Sequence, residues 1–304
     1  MKLLSLTVMM YHYVRDPGDA AEAGSGIPGL TVSQFEAQLD SLTGRYDMIA
    51  WPDLRQYLLD GQPLPPSPCL LTFDDGVRDH YFNVFPALQA RGLSGLFFAL
   101  ARRPAEGLAL GHKIHFLLAL LGLEDLRERI RPWLSLAGGE VYERAESHYR
   151  RKWRAELDVF KSILQRDLSA EAESILSQLI VEHIGPEEEI AAEYYLTADQ
   201  VAEMIENGMH FGGHSHSHPW FDWVDVEAQA EEIKASAEWL RIVEPGPWAF
   251  AYPYGGLSSQ APGLLQANGF AAAFTTVDQV EHTDRFLIGR LDGEEIQISE
   301  ETRC

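Results

Sequence analysis

Short apolar runs of strand length alternate with segments of helical spacing over the first hundred residues, and the alternation resumes after Thr197. This is the layout of parallel strands joined by helical crossovers. The sequence therefore predicts an α/β domain built on a parallel sheet. The runs that predict its strands are 3–10, 69–73, 93–100, 209–212, 248–251 and 270–275.

Two helix starts have a recognisable capping signal. Thr31 and Gln34 stand three residues apart, and Thr197 and Gln200 repeat this spacing. A threonine followed three residues later by glutamine can satisfy two free backbone N–H groups at a helix start. We therefore expect a helix to begin directly after Thr31 and another after Thr197.

Residues 101–195 differ from the flanking sequence because they contain no convincing strand. Their apolar residues recur at helical spacing instead. We therefore expect one α/β domain, formed by residues 1–100 and 196–304, with a helical insert at 101–195. The apolar positions that predict helices in the insert are Ile114, Leu117, Leu118, Leu121, Trp153, Leu157, Phe160 and Leu164.

Composition limits the classes of partner. With 304 residues, of which 46% are hydrophobic, the chain can bury a full core, but its formal net charge is −22. Nucleic-acid binding needs basic surface, so nucleic acid is not an expected partner. No apolar run approaches the ~20 residues of a membrane helix. Cys69 and Cys304 do not form a disulfide framework, and nothing resembles a cleaved leader. We therefore expect a cytoplasmic protein.

Two adjacent carboxylates form the strongest local signal. Asp74, Asp75 and Gly76 directly follow an apolar run. Active sites gather at the carboxyl ends of strands in α/β folds. Adjacent residues that leave a strand point in different directions, so one aspartate can bind a cation while the other handles protons. The alternative interpretation is a solvated Asp-Asp-Gly turn.

Three histidines follow a later strand. His214, His216 and His218 come directly after two glycines. His214 and His218 can converge, because residues at i and i+4 share a face on a helical turn and also on a strand. Two neutral imidazoles and one carboxylate form a hydrolytic zinc set that leaves a position for water, and Asp75 is the natural third ligand. The alternative interpretation is a polar surface loop.

A third segment, Phe250 to Gly256, also ends an apolar run. It contains Tyr252, Pro253 and Tyr254 before two glycines. Taken alone, it is typical of an aromatic turn in which proline fixes φ.

In this order, the three segments resemble the motifs of the polysaccharide deacetylase family, carbohydrate esterase family four. The resemblance covers about residues 1–100 and 196–292 and is absent from the insert. It implies a distorted (β/α) barrel and a metal bound by Asp75, His214 and His218. It further implies that Asp74 is the general base and that the Tyr254 backbone N–H stabilises the oxyanion.

Two departures from the family pattern concern the groups around Asp74. Ala251 stands where many members have the arginine that orients the catalytic aspartate, and Arg290 is one candidate to replace it. The usual late Leu-x-His segment is absent. An early Tyr11-His12 and the Phe-Ala-Tyr-Pro-Tyr form resemble a subgroup acting on poly-N-acetylglucosamine and related bacterial glycans. His12 and, as second choice, His282 are therefore the candidate general acids.

The function that the resemblance implies is removal of N-acetyl groups from an acetylated sugar or polysaccharide, with release of acetate. The cofactor would be one divalent metal, with Zn²⁺ first and Co²⁺, Ni²⁺ or Fe²⁺ as alternatives. Two other functions stay open. One is a metal-dependent amidase or esterase acting on a non-carbohydrate substrate. The other is a member that has lost catalysis and binds glycan.

The insert leaves the core between the two metal-binding segments, so we expect both its ends near the site and interpret it as a cap that shapes substrate choice. It also contains a basic run. The run is either a docking surface for an anionic group or a solvated helix face paired with carboxylates such as Glu143, Glu146 and Glu156. Its members are Arg144, Arg150, Arg151, Lys152 and Arg154.

Overall fold

A computed structural model describes residues 4–16, 26–137, 139–150 and 155–294. Its centre is a parallel sheet in the order β10-β2-β4-β5-β6-β7-β8, with β3 paired to the first half of β4. A separate antiparallel pair joins β1 to β9. The strands are β1 Leu4–Ser5, β2 Thr7–Tyr11, β3 Asp47–Ile49, β4 Pro68–Asp75, β5 Leu96–Ala99, β6 His210–Gly213, β7 Trp248–Ala251, β8 Phe270–Phe274, β9 Glu281–His282 and β10 Leu291–Asp292.

The sheet is curled so strongly that one short segment, residues 288–291, pairs with strands at both ends of the strand order. Ile288 forms a parallel bridge with Phe274 of β8. Three residues later, Leu291 pairs with Met9 of β2, at the other end of the strand order. Helices surround this distorted barrel, which confirms the predicted α/β barrel class.

Alternating residues of each strand serve two cores. Val8, Leu70, Phe98 and Ala251 belong to one apolar cluster, which lies inside the curled sheet. Residues on the opposite face of the same strands, such as Phe73 of β4, belong to a second cluster, which is shared with the outer helices. Because successive side chains on a strand point to opposite faces, the inner face of β4 continues from Leu70 to Thr72 and Asp74.

The helices begin where the capping signals predict. The Thr31 and Thr197 side chains accept hydrogen bonds from the Gln34 and Gln200 backbone N–H groups, and both capping boxes are complete. The helices are α1 Val32–Thr43, α2 Trp51–Asp60, α3 Phe85–Gln89, α4 Leu110–Ala137, α5 Gly139–Tyr149, α6 Glu156–Ser162, α7 Ser169–His183, α8 Glu187–Tyr194, α9 Ala198–Glu206, α10 Val226–Val243 and α11 Ala261–Ala267.

The segment between β5 and α9 contains helices α4 to α8 and no strand longer than a single bridge among its described residues. It has its own apolar cluster, which includes Ile114, Leu117, Phe160 and Leu164. Leu157 is exposed, contrary to the predicted stripe. Trp153 and the basic residues 151, 152 and 154 lie outside the described residues. No helix within the described ranges is long and apolar enough to cross a membrane.

Candidate active site

Four non-glycine residues in the described ranges have positive φ, and all four belong to the predicted site segments. The angles are 78° at Asp75, 67° at Ser215, 63° at His218 and 56° at Tyr254. Such conformations cost of order 1–3 kcal/mol each and tend to cluster at functional sites. The backbone strain therefore marks the same place that the motifs predict.

Asp75, His214 and His218 converge. The Asp75 Oδ1 atom lies 3.4 Å from His214 Nε2 and 3.3 Å from His218 Nε2, and the two Nε2 atoms are 3.1 Å apart. The His214 Nδ1–H group donates to the Ala251 carbonyl at 2.8 Å, which leaves the lone pair on Nε2. Asp75 Oδ1 is buried without a hydrogen-bond partner in the described structure. This donor set fits one divalent metal.

The electrostatics of His218 and Asp75 agree with this fit, whereas at His214 the effect of burial is outweighed by Asp74 and Asp75, which raise its pKa in the metal-free site. Burial lowers the pKa of His218 to about 4, so its imidazole is neutral at physiological pH. Burial alone would raise the pKa of Asp75, but His112 and then His214 and His218 outweigh it and hold the pKa well below its usual value. A neutral imidazole and an ionised carboxylate are the forms that bind a metal.

Asp74 points into the barrel and is held by an arginine. Arg290 donates from Nη1 to Oδ1 and from Nη2 to Oδ2, both at 2.7 Å, and both side chains are almost fully buried. Burial alone would raise the pKa of Asp74, but Arg290, then His214 and His12, keep it below its usual value. Arg290 thus occupies the orienting position that Ala251 leaves open.

The two acid candidates lie in different places. His12 lines the site cavity, with Nε2 at 3.9 Å from Asp74 Oδ2 and a side chain that is 33% exposed. His282 is buried against backbone: its Nε2 lies 3.1 Å from the Leu6 carbonyl, and its Nδ1 accepts from the Gly289 N–H. His282 does not line the cavity.

Tyr254 lies in the tight turn Pro253–Gly255 at the end of β7. Its ring centroid is 4.4 Å from that of His218. Trp220 stacks on it at 4.6 Å, and the Arg166 guanidinium of the insert lies 3.7 Å above the Trp220 ring. The predicted aromatic turn therefore borders the histidines of the candidate metal site.

His216 turns away from this convergence. Its Nδ1 lies 3.0 Å from the Ala101 carbonyl and its Nε2 lies 3.2 Å from Glu106 Oε1. Its backbone N–H and that of Ser217 donate to Glu232 at 2.6 and 2.8 Å. The middle histidine thus binds the neighbouring loop and is not part of the Asp75, His214 and His218 cluster.

These groups border a cavity of about 360 Å³. Pockets of roughly 300–1,000 Å³ are the usual size for small-molecule sites. The core side is formed by Asp74, Asp75, His214 and Tyr254, among others. The opposite side comes from the insert, through His112, His115, Asp158, Lys161, Ser162 and Gln165.

Sequence reasoning missed one residue that touches the metal-binding set. His112, in the first turn of α4, places Nε2 3.1 Å from Asp75 Oδ2. Its Nδ1 lies 2.6 Å from the Tyr195 hydroxyl. Neither residue belongs to a recognisable motif, and His112 stands in a segment whose pattern indicates only a helix. No local signal could have identified it.

The basic run of the insert is only partly described. Arg150 pairs with Glu146 at 2.8 Å and with Glu156 at 3.3 Å. Both carboxylates are among those expected if the basic run is a solvated helix face. Arg151, Lys152 and Arg154 lie outside the described residues.

Comparison with known proteins gives one family. The polysaccharide deacetylase family model matches residues 175–273. The match contains the histidine segment and the Tyr252-Pro253-Tyr254 turn, but it starts within the predicted insert and does not reach the Asp74-Asp75 pair. No curated protein matches the chain.

Solved structures share the fold over nearly the whole chain. The deacetylase PplD of Streptococcus pyogenes, in complex with acetate, has a TM-score of 0.58 and 15% identity, covering 94% of this chain and 91% of its own. IcaB of Ammonifex degensii has a TM-score of 0.56 and 18% identity, with coverages of 98% and 93%. The de-N-acetylase of Aggregatibacter actinomycetemcomitans has a TM-score of 0.56 and 13% identity, and the match covers 96% of this chain and 97% of its own. The chain thus resembles the polysaccharide deacetylase family in sequence over residues 175–273 and shares the fold of solved deacetylases over nearly its whole length.

Proposed function

We propose that the chain is a hydrolase that removes N-acetyl groups from an acetylated sugar and releases acetate, with one divalent metal held by Asp75, His214 and His218. One observation carries the proposal. These three residues and Asp74, which is bonded to Arg290, line the same cavity. The bound metal would polarise the acetyl carbonyl and lower the pKa of the attacking water. Two imidazoles and a carboxylate favour Zn²⁺, and they also accept Co²⁺, Ni²⁺ or Fe²⁺.

Asp74 is the proton acceptor in this proposal. Arg290 keeps the carboxylate ionised and fixes its orientation, yet each Asp74 oxygen retains a lone pair, because each accepts a single bond from the guanidinium. Asp74 therefore takes a proton from water as the new C–O bond forms. General-base catalysis of this kind typically contributes about 10²–10⁴ in rate.

Tyr254 and His12 have the remaining roles. The Tyr254 backbone N–H donates to the developing oxyanion, as the family turn implies. When the C–N bond breaks, the amine nitrogen needs a proton, and His12 supplies it from the exposed side of the cavity. The products are acetate and the free amino sugar. His12 suits this role because it lies beside Asp74 and is open to solvent.

The substrate class follows from the family and from the size of the site. Two structural relatives are named as a deacetylase and a de-N-acetylase. The cavity is large enough for a sugar ring, and the insert lines it with polar side chains, including Asp158, Ser162 and Gln165. Such groups can bind sugar hydroxyls. We therefore propose that the insert at 101–195 caps the site of the domain formed by 1–100 and 196–304.

The test measures acetate release from N-acetylated glucosamine oligomers together with metal content. We expect activity in the metal-loaded protein and its loss on chelation. Asp74→Asn should keep the metal and lose about 10²–10⁴ in rate. His214→Ala should lose most of the metal.

The alternatives give different results. Activity on acetylated non-sugar amides or esters, with none on any acetylated sugar, would replace the proposal with the amidase or esterase. Bound metal without turnover on any acetylated compound would favour the glycan-binding member. Near-normal activity of Asp74→Asn would refute the general-base assignment alone.

A further inference from the structure

His112 connects the helical insert to the metal-binding carboxylate. It lies in the first turn of α4, and only 2% of the residue is exposed. Its Nε2 is 3.1 Å from Asp75 Oδ2 and its Nδ1 is 2.6 Å from the Tyr195 hydroxyl. The two ends of the insert, α4 and Tyr195, therefore meet at Asp75.

The hydrogen atoms in this series of hydrogen bonds, from Ala109 through Tyr195 and His112 to Asp75, can be assigned from the donors. The Ala109 backbone N–H donates to the Tyr195 oxygen at 3.0 Å. The hydroxyl hydrogen of Tyr195 is then free to donate to His112 Nδ1. A neutral histidine that accepts at Nδ1 carries its hydrogen on Nε2. His112 therefore donates from Nε2 to Asp75 Oδ2.

The two oxygens of Asp75 thus have different surroundings. Oδ2 accepts from His112, whereas Oδ1 faces the Nε2 atoms of His214 and His218. A hydrogen bond to one oxygen limits rotation of the carboxylate. Oδ1 is consequently held in the position where it completes the donor set.

Backbone pairing fixes Tyr195 relative to Asp75. The Leu196 N–H donates to the Gly76 carbonyl at 2.9 Å, and the Arg78 N–H donates to the Tyr194 carbonyl at 2.8 Å. Between them, Val77 and Tyr195 form an antiparallel bridge. The segment that follows Asp75 is therefore joined to the end of the insert.

We propose that His112, oriented by Tyr195, is a positioning residue for Asp75, so that the insert completes the metal centre in addition to covering it. This inference rests on the metal site of the proposed function. Hydrogen-bond partners of metal ligands typically contribute about 10–100-fold in metal affinity. The effect should therefore be visible in metal binding without any assay of turnover.

The experiment compares Zn²⁺ affinity of metal-free variants by competition with a chromogenic chelator. His112→Leu removes the donor and should weaken binding about 10–100-fold. His112→Gln places an amide N–H near the same point and should recover most of the affinity. Tyr195→Phe, which leaves the ring but not the hydroxyl, should fall between wild type and His112→Leu.

His183→Gln is the matched control, because His183 is also a histidine of the insert but lies 3.1 Å from the Arg129 guanidinium and does not line the site cavity. It should bind Zn²⁺ within about twofold of wild type. Thermal unfolding of each metal-free variant checks that it is folded. If His112→Leu is folded and binds as tightly as wild type, or if His183→Gln weakens binding equally, the inference is wrong. The metal centre itself then still stands if His214→Ala loses the metal, whereas a wild type that binds no metal overturns both.

Discussion

At the residue scale, Asp74 and Arg290 form an ion pair that is buried in the barrel. Arg290 is 1% exposed, and its guanidinium also donates to Thr72 and to the Thr275 carbonyl. Replacing a buried ion pair by apolar residues is often neutral, but removal of one partner leaves an uncompensated charge. The pair is therefore best explained by the ionised, oriented carboxylate that it provides.

Replacing one partner should destabilise the fold more than replacing both. We expect Arg290→Met to lower the free energy of unfolding by about 3–5 kcal/mol, since it leaves Asp74 buried and unpaired. The double variant Asp74→Asn with Arg290→Met should recover much of this stability but no activity. Chemical denaturation of the metal-free proteins measures both values. A change below about 1 kcal/mol in Arg290→Met would contradict this account of the pair.

At the element scale, the loop between β6 and α10 depends on support from outside itself. Ser215 and His218 both have positive φ, so the loop holds strain that its neighbours must stabilise. Glu232 of α10 provides this support by accepting from the backbone N–H groups of His216 and Ser217 and from the Ser217 hydroxyl. One helix thus supports the segment that contains both histidines of the proposed metal site.

We expect Glu232→Ala to weaken this loop. Hydrogen bonds to a charged group are typically worth about 1.5–3 kcal/mol each, and their donors here would lose their partner. The free energy of unfolding should fall by at least about 1.5 kcal/mol, and Zn²⁺ affinity should fall with it.

Glu231→Ala is the control on the same helix. Glu231 is 78% exposed and pairs only at 3.8 Å with Lys234, so its loss should stay within about 0.5 kcal/mol. Equal effects of the two substitutions on unfolding and on metal binding would show that the hydrogen bonds of Glu232 do not stabilise the loop.

At the scale of the whole molecule, the net charge of −22 should influence which substrates reach the site. A field of this sign repels anions over distances that depend on salt, because the screening length is about 30 Å at 0.01 M and about 10 Å at 0.1 M.

We therefore expect kcat/KM for an anionic acetylated oligosaccharide to rise as salt increases from about 0.01 to about 0.15 M, by up to about tenfold. The value for a matched neutral oligosaccharide should stay nearly constant. Initial rates at several salt concentrations test this. If kcat/KM for the anionic substrate falls instead, a basic docking surface outweighs the net charge, and the basic run predicted from the sequence between Arg144 and Arg154 is the candidate.

The sequence by itself determined the parallel strands, the two capped helices and the convergence of Asp75, His214 and His218. These features are local: strands follow from apolar runs, and caps from three-residue spacing. The carboxyl ends of parallel strands lie at the same edge of a sheet, so Asp75 at the end of β4 and the histidines after β6, on the two sides of β5, come together once the sheet forms.

Only the tertiary structure decided which distant residues complete the site. The sequence offered Arg290 as one candidate partner for Asp74, but the two residues are 216 positions apart, and no local pattern links residues at that separation. His112 and Tyr195 had no signal at all, and strands of two or three residues, such as β3 and β10, are too short to show a period. Such contacts arise when packing closes the barrel and folds the insert over it. They depend on the position of whole elements in space, which local spacing does not encode.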